Sequence, residues 1–269
     1  MTVRKNDFQN CLSLPKGEED EELMICTLLY KLLSELTGYT PLWGMQTGIR
    51  PVKMFRKLSQ AHGEEYALDY FKNRLLVSNA KTELVIQTLS NENNILKRKR
   101  KNSFSLYVSI PFCPTRCSYC SFISHDVEKM KKLLPDYVSY LCKELILTAE
   151  IARKAGLTLQ TIYFGGGTPT SLSAEQMAVI LKTIHDHFDR SALEEYTVEA
   201  GRPDTITADK LQVMKQRGVN RISINPQTFN DEVLQRIKRN HTGTDIISAY
   251  HLARTAGLDH INMDLIAGL

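Results

Sequence analysis

Tyr107-Val-Ser-Ile-Pro-Phe-Cys-Pro-Thr-Arg-Cys-Ser-Tyr-Cys-Ser-Phe122 carries the apolar run Leu106–Ile110 straight into a loop with three cysteines. Cys113, Cys117 and Cys120 follow the spacing C-x3-C-x2-C. Three thiolates on one loop can hold three irons of a cubane cluster and leave the fourth iron open to another ligand. A structural zinc site needs four ligands and is closed. His125 lies five residues past Cys120 and would complete a Cys3His set, so zinc stays open as an alternative. No second CxxC is present, and Cys11, Cys26 and Cys142 stand alone. A strand running into a ligand-rich loop is the context that a cluster motif predicts.

Outward from this segment, strand-like and helix-like patterns alternate. Further apolar runs rich in strand formers occur at Thr161–Phe164, Tyr196–Ala200, Ile222–Ile224 and Ile261–Ile266. Helical patterns lie between them at Asp136–Lys154, Ala174–Phe188, Ala208–Arg217, Asp231–Lys238 and Asp245–Ala256. Ser173 and Gln176 form a capping-box pattern at the start of the second. This alternation requires a parallel sheet with right-handed crossovers. Functional groups then gather at the carboxyl ends of the strands, where the cysteine loop, Gly165–Thr168, Glu199 and Gln227 all fall. Gly165-Gly166-Gly167-Thr168-Pro169-Thr170 lacks the Gly-Lys-Ser/Thr ending of a phosphate loop, but three glycines let main-chain groups approach a ligand. Asp264 interrupts a long apolar strand, and a buried carboxylate there needs a donor. Cys142 reads as a small apolar residue on a helix face, and His185 and His187 as solvated.

Upstream, residues 1–96 read as a helical unit. Leu23, Cys26, Leu29, Leu32, Leu33 and Leu36 recur at helical spacing behind the acidic run Glu18–Glu22, and Thr37-Gly38 stops the helix. A loop with Trp43, Gly44, Gly48 and Pro51 follows, then amphipathic stretches at Lys53–His62, Glu64–Phe71 and Ser78–Asn91. Residues 97–103 carry the basic run Lys97–Lys101 and read as a solvated linker, and residues 104–269 form the α/β domain. The 269 residues, 42% apolar and 24% charged, suit a soluble globular protein, and a net charge of +4 gives no argument for nucleic acid. No apolar run nears the ~18 residues a bilayer span requires. Six cysteines without a signal peptide point to a reducing cytoplasm.

In order, Y-x-x-x-P-F-C-x3-C-x2-C, F-G-G-G-T-P-T, V-E-x-x-x-P, R-I-S-x-x-x-Q-T-F and I-N-M-D-L-I-x-G-L resemble the radical S-adenosylmethionine proteins of the oxygen-independent coproporphyrinogen III oxidase group. Glu199-Ala-Gly-Arg-Pro-Asp204 and Thr47-Gly-Ile-Arg-Pro51 are most similar to its HemZ-type branch. The resemblance implies a partial (β/α)6 TIM-like barrel behind a small helical domain, truncated here after the fifth strand because the family's barrel has a sixth. It implies a [4Fe–4S] cluster on Cys113, Cys117 and Cys120, with S-adenosylmethionine on the open iron. Tyr107, Tyr119, Gly167, Thr168, Glu199, Gln227, Arg239 and Asp264 match the family's positions for contacts to that cofactor, which the family can hold twice. The implied activity is oxidative decarboxylation of coproporphyrinogen III to protoporphyrinogen IX by a 5′-deoxyadenosyl radical, with flavodoxin or ferredoxin as a one-electron donor. Phe122 stands where decarboxylating members carry a fourth cysteine, and Ser109 where the HemZ-type and chaperone groups commonly have histidine. The substrate step therefore stays open between decarboxylation, haem binding by a chaperone, and other radical chemistry such as methyl transfer or haem-ring opening.

Overall fold

The computed structural model describes residues 2–5, 8–11 and 20–269, the first two segments as backbone alone. The chain divides into two compact units, Met1–Lys99 and Arg100–Leu269.

The first unit begins with an antiparallel pair, β1 (Thr2–Lys5) and β2 (Phe8–Cys11), which the helical reading of this region lacks. Helix α1 (Glu21–Thr37) starts where the Asp20 carboxylate accepts from the Leu23 N–H, and Glu21 and Glu22 sit in its positive first turn. It stops at Gly38. Helices α2 (Pro51–His62), α3 (Glu64–Asp69) and α4 (Asn79–Leu96) supply the core, and a single π-helical turn, Tyr70–Arg74, breaks the helix expected through Phe71. Phe55 and Phe71 meet edge to face with ring centroids 5.2 Å apart, among Ala67, Leu75, Val77 and Val85. The leucine stripe on α1 is used only in part: Leu23 packs on this core and Leu32 is buried, whereas Leu29 and Leu33 are exposed.

The second unit opens with β3 (Ser103–Ile110), which runs through β4 (Phe112–Cys113), the cysteine loop and β5 (His125–Asp126) into helix α5 (Leu134–Lys154). There follow β6 (Thr158–Gly166), α6 (Ala174–His187), β7 (Glu195–Gly201), α7 (Ala208–Gln216), β8 (Arg221–Ile224), α8 (Asp231–Arg236), α9 (Gly243–Thr255) and β9 (His260–Asn262). The sheet order β3-β6-β7-β8-β9 is sequential and every neighbouring pair is parallel. Leu106, Val108 and Ile110 are buried, while Tyr107 and Ser109 between them are exposed. This period of two turns Tyr107 to the opposite face. The strand core, including Ile162, Phe164, Val198 and Ile222, packs against Leu145, Ile180, Ile184, Leu211, Met214 and Ala253 from the helices. Ser173 and Gln176 make both bonds of the capping box. Cys142 is half-buried against the core, and His185 and His187 are exposed.

The fifth strand is shorter than the apolar run Ile261–Ile266 predicts. β8 ends at Ile224, so residues beyond Asn262 have lost that partner. They pair instead with one residue of the following loop: Gln227 N–H donates to Asp264 O at 3.0 Å and Ile266 N–H to Gln227 O at 2.9 Å. Asp264 is consequently exposed, a correction to the buried carboxylate expected there. Among the described residues no helix is long and apolar enough to cross a membrane.

Two glycines of the first unit give a stability test. Both have left-handed backbones, Gly38 at φ 68° and Gly44 at φ 57°. A Cβ on Gly38 meets nothing within 4 Å, whereas one on Gly44 would lie 2.1 Å from the Leu75 carbonyl oxygen. Gly38→Ala should cost about 1 kcal/mol and Gly44→Ala about 3 kcal/mol or more, because backbone clash adds to conformational strain. Chemical denaturation of the two variants checks this, and equal losses would remove the steric argument.

Candidate functional site

The cysteine loop leaves the sheet and returns beside its own start. Phe112 pairs with His125 and Cys113 with Asp126, with His125 N–H donating to Pro111 O at 2.8 Å and Val127 N–H to Cys113 O at 2.9 Å. Its far side is held by the α8–α9 connection, where Ser118 N–H donates to Ile237 O at 3.3 Å and the Thr115 hydroxyl to Lys238 O at 2.6 Å. The three cysteines are half-buried.

The glycine turn after β6 lies against the start of this loop. Gly167 N–H donates to Ile110 O at 2.8 Å and Thr168 N–H to Phe112 O at 2.7 Å. A Cβ on Gly167 would stand 2.6 Å from the Phe112 carbonyl oxygen, so this glycine is required by the protein's own backbone before any ligand is considered. The buried Thr168 hydroxyl reaches Cys113 Sγ at 3.4 Å.

Cys113, Cys117, Cys120, Tyr119, Gly167, Thr168, Glu199, Gln227, Arg239 and Asp264 line one cleft at the carboxyl end of the sheet. Tyr107 is not among its lining residues. Its ring stacks on Tyr163 at 5.9 Å, and its hydroxyl lies 3.0 Å from where a Cβ on Gly165 would stand. Tyr163 in turn donates to Glu199 Oε1. Glu199 sits where the register between β7 and β8 shifts, an irregularity that re-aims a side chain at the sheet's end. Burial raises the Glu199 carboxyl above the usual carboxylate range and the charge of Asp264 adds to this, while the Tyr163 bond opposes it. Burial and the Glu199 bond push the Tyr163 phenol well above its ordinary value. Gln227 holds φ 68°, rare for a residue with a side chain, and its backbone bonds to Asp264 and Ile266 fix it there. Arg239, 8% exposed, donates to Asn225 O at 2.5 Å and to the Tyr119 hydroxyl at 3.4 Å.

These groups fit an anionic sulfur-ligated centre. Three thiols face a cleft that two buried arginines, Arg202 and Arg239, also line. Arg239 Nε, Arg202 Nη2 and Asn225 Oδ1 are buried with no hydrogen-bond partner among the described residues. Zinc fits less well. His125 is exposed on β5, and among the described residues no three His, Cys, Asp or Glu side chains converge on one ion. A cubane cluster takes one thiolate per iron and needs no such convergence.

Sequence reasoning passed over four residues here. Tyr163 carried a signal, since two positions before Gly165 on a strand puts it on the same face. Arg202 lay inside a motif quoted for other reasons. Thr115 and Asn225 act through contacts made across 87 and 14 positions of the chain, which no local pattern reveals.

Comparison with known proteins places this geometry. The Radical SAM superfamily model matches residues 107–269. The oxygen-independent coproporphyrinogen-III oxidase-like protein HemZ of Bacillus subtilis is 39% identical over 242 residues, which are 88% of this chain and 48% of that protein. The heme chaperone HemW of the same organism is 40% identical over 166 residues, 61% of this chain and 42% of that protein. The chain therefore spans about half the length of the curated relatives it matches. Among solved structures, the coproporphyrinogen III oxidase HemN of Escherichia coli, a radical SAM enzyme, aligns with a TM-score of 0.56 at 30% identity, over 67% of this chain and 41% of that one. A three-cysteine loop facing a glycine turn across parallel strand ends, and a family match over nearly all of that unit, make the chain a member of the radical SAM superfamily, with a [4Fe–4S] cluster and S-adenosylmethionine as its cofactors.

Proposed function

We propose that the protein catalyses oxygen-independent oxidative decarboxylation of coproporphyrinogen III to protoporphyrinogen IX. The observation that carries this is the extent of the likeness. Identity to the HemZ protein runs over 88% of the chain and so enters the first unit, whereas identity to the HemW chaperone covers 61%. In this reading Cys113, Cys117 and Cys120 hold the cluster. Gly167 and Thr168 offer main-chain carbonyls to S-adenosylmethionine, their N–H groups being bonded to Ile110 and Phe112. Glu199 accepts from its ribose hydroxyls, and Tyr119, Gln227, Arg239 and Asp264 complete its surroundings. Tyr107 supports Glu199 through Tyr163. When bound, the cluster and S-adenosylmethionine supply a carbon-centred radical that removes a hydrogen atom. The protein's own residues bind, orient and exclude water. A propionate side chain loses that hydrogen atom, a second electron goes to an acceptor, carbon dioxide departs and a vinyl group remains. The electron that starts each turnover comes from a flavodoxin- or ferredoxin-type donor.

A second reading is supported by the 40% identity to the heme chaperone and by Phe122 in place of a fourth cysteine. It makes the protein a haem-binding chaperone on the same scaffold. Anaerobic incubation of the full-length protein with coproporphyrinogen III, S-adenosylmethionine and a reductant separates the two. Protoporphyrinogen with 5′-deoxyadenosine supports the enzyme. Stable haem binding with no decarboxylation supports the chaperone.

The site assignments have their own tests. Cys117→Ala should abolish iron uptake on anaerobic reconstitution, and Cys142→Ala, on a packed helix face, should leave it unchanged. Equal iron loss in both would show the ligand set to be wrong. Glu199→Ala should keep the cluster yet weaken S-adenosylmethionine binding about ten- to a hundredfold, the scale of a lost charge-assisted hydrogen bond. Tyr163→Phe should weaken it less, because the Glu199 carboxyl remains and loses only its orienting donor. Calorimetric titration of cluster-loaded protein checks both, and wild-type affinity in Glu199→Ala would leave that residue a structural role.

A further inference from the structure

Arg202 is 2% exposed, and a guanidinium buried to that degree needs a counter-charge and good acceptors. Its Nε donates to Asp204 Oδ1 at 3.2 Å. Its Nη1 donates to both the carbonyl oxygen (3.2 Å) and the hydroxyl (2.7 Å) of Thr115. Thr115 lies midway between Cys113 and Cys117, and its hydroxyl hydrogen is used toward Lys238 O, which leaves the oxygen free to accept. Behind this pair, His241 Nδ1 stands 3.5 Å from the same Asp204 oxygen, and the histidine side chain is fully buried. Burial acts to raise the Asp204 carboxyl, but His241 and Arg202 outweigh it and hold the group below its usual range, so it faces Arg202 ionised. Arg202 Nη2 is covered yet has no acceptor among the described residues.

The strands do not explain this arrangement. Arg202 follows β7, and the loop it grips follows β4, which pairs only with β5 in a separate two-stranded sheet; β3, the strand that launches the loop, lies two places from β7. An arginine that only neutralised Asp204 would not need to reach the cysteine loop. A lysine could not make the same set of contacts, because it lacks the planar fork that serves two directions at once.

We propose that Arg202 is a positioning residue for the iron–sulfur centre, fastening the cysteine loop to the end of β7 through Thr115 and raising the centre's reduction potential by its buried charge. The inference rests on the assignment of Cys113, Cys117 and Cys120 as ligands. Net charge and hydrogen bonds near the sulfurs set such potentials, and a fixed cation favours the more negative, reduced cluster. The unpartnered Nη2 belongs to the same guanidinium and is available as a further donor.

The test uses the full-length protein reconstituted anaerobically, with Arg202→Gln, Arg202→Lys and Thr115→Val. Iron release to a chelator and the midpoint potential from an electron paramagnetic resonance titration are read for each. Arg202→Gln should release iron about tenfold faster, the scale of one charge-assisted hydrogen bond, and its potential should move negative. Arg202→Lys should also release iron faster but keep most of the potential, since the charge stays and the fork is lost. Thr115→Val leaves the Arg202–Asp204 pair in place, so it decides the matter if Arg202→Gln fails to fold; it should speed iron release with little shift in potential. Wild-type release and potential in Arg202→Gln, or wild-type release in a folded Thr115→Val, would overturn the inference alone. A wild-type protein that takes up no iron would overturn the ligand assignment and the inference together.

Discussion

The close backbone contact between the glycine turn after β6 and the Ile110–Phe112 segment sets the geometry of everything at this end of the sheet. Gly167 and Thr168 donate to the carbonyls of Ile110 and Phe112, and the Ser171 hydroxyl reaches the Phe112 carbonyl as well at 3.3 Å. No side chain fits between the two strands there. The strand that launches the cysteine loop and the strand that ends in glycines are therefore locked as one piece, and the Thr168 hydroxyl carries the contact to Cys113. A loop fixed at one end only would leave Cys117 and Cys120 free to wander. Its return through β5 and its anchoring on Thr115 and Ser118 remove that freedom.

The parts of this design that follow chain-local rules could be read from the sequence. Alternation of apolar strands with capped helices is a statement about neighbours in sequence, and it yields five parallel strands with their functional ends together. The capping box at Ser173 and the stop at Gly38 are local in the same sense. Glu199, Gln227, Arg239 and Asp264, which the family resemblance groups as cofactor contacts, line one cleft.

What could not be read is set by contacts between distant residues. The end of the fifth strand depends on where β8 stops, not on the apolarity of Ile261–Ile266, so Asp264 came out exposed. The partial use of the α1 leucine stripe depends on how wide a face the core of α2, α3 and α4 offers. At Gly167 the absent side chain also makes room for the Phe112 carbonyl, a contact from a strand distant in sequence. The link from Tyr107 to Glu199 runs through Tyr163, a contact between three separate strand positions that no local pattern shows.

Cationic and acidic groups line the same cleft. Arg202 and Arg239 both bond to residues of the cysteine loop, Thr115 and Tyr119, so the positive charge gathers where an anionic cluster would be held. Glu199 and Asp264 lie at strand ends, where the charge of Asp264 adds to the burial that raises the Glu199 carboxyl and both charges help to raise the Tyr163 phenol. Burial strengthens the contacts of Arg202 and Arg239, because low dielectric strengthens every pair that is made and penalises every charge left alone. In the proposed roles, the carboxylate of S-adenosylmethionine would meet the buried arginines beside the cysteine loop and its ribose hydroxyls the Glu199 acceptor, so that charge at the strand ends sets the orientation together with the shape of the cleft.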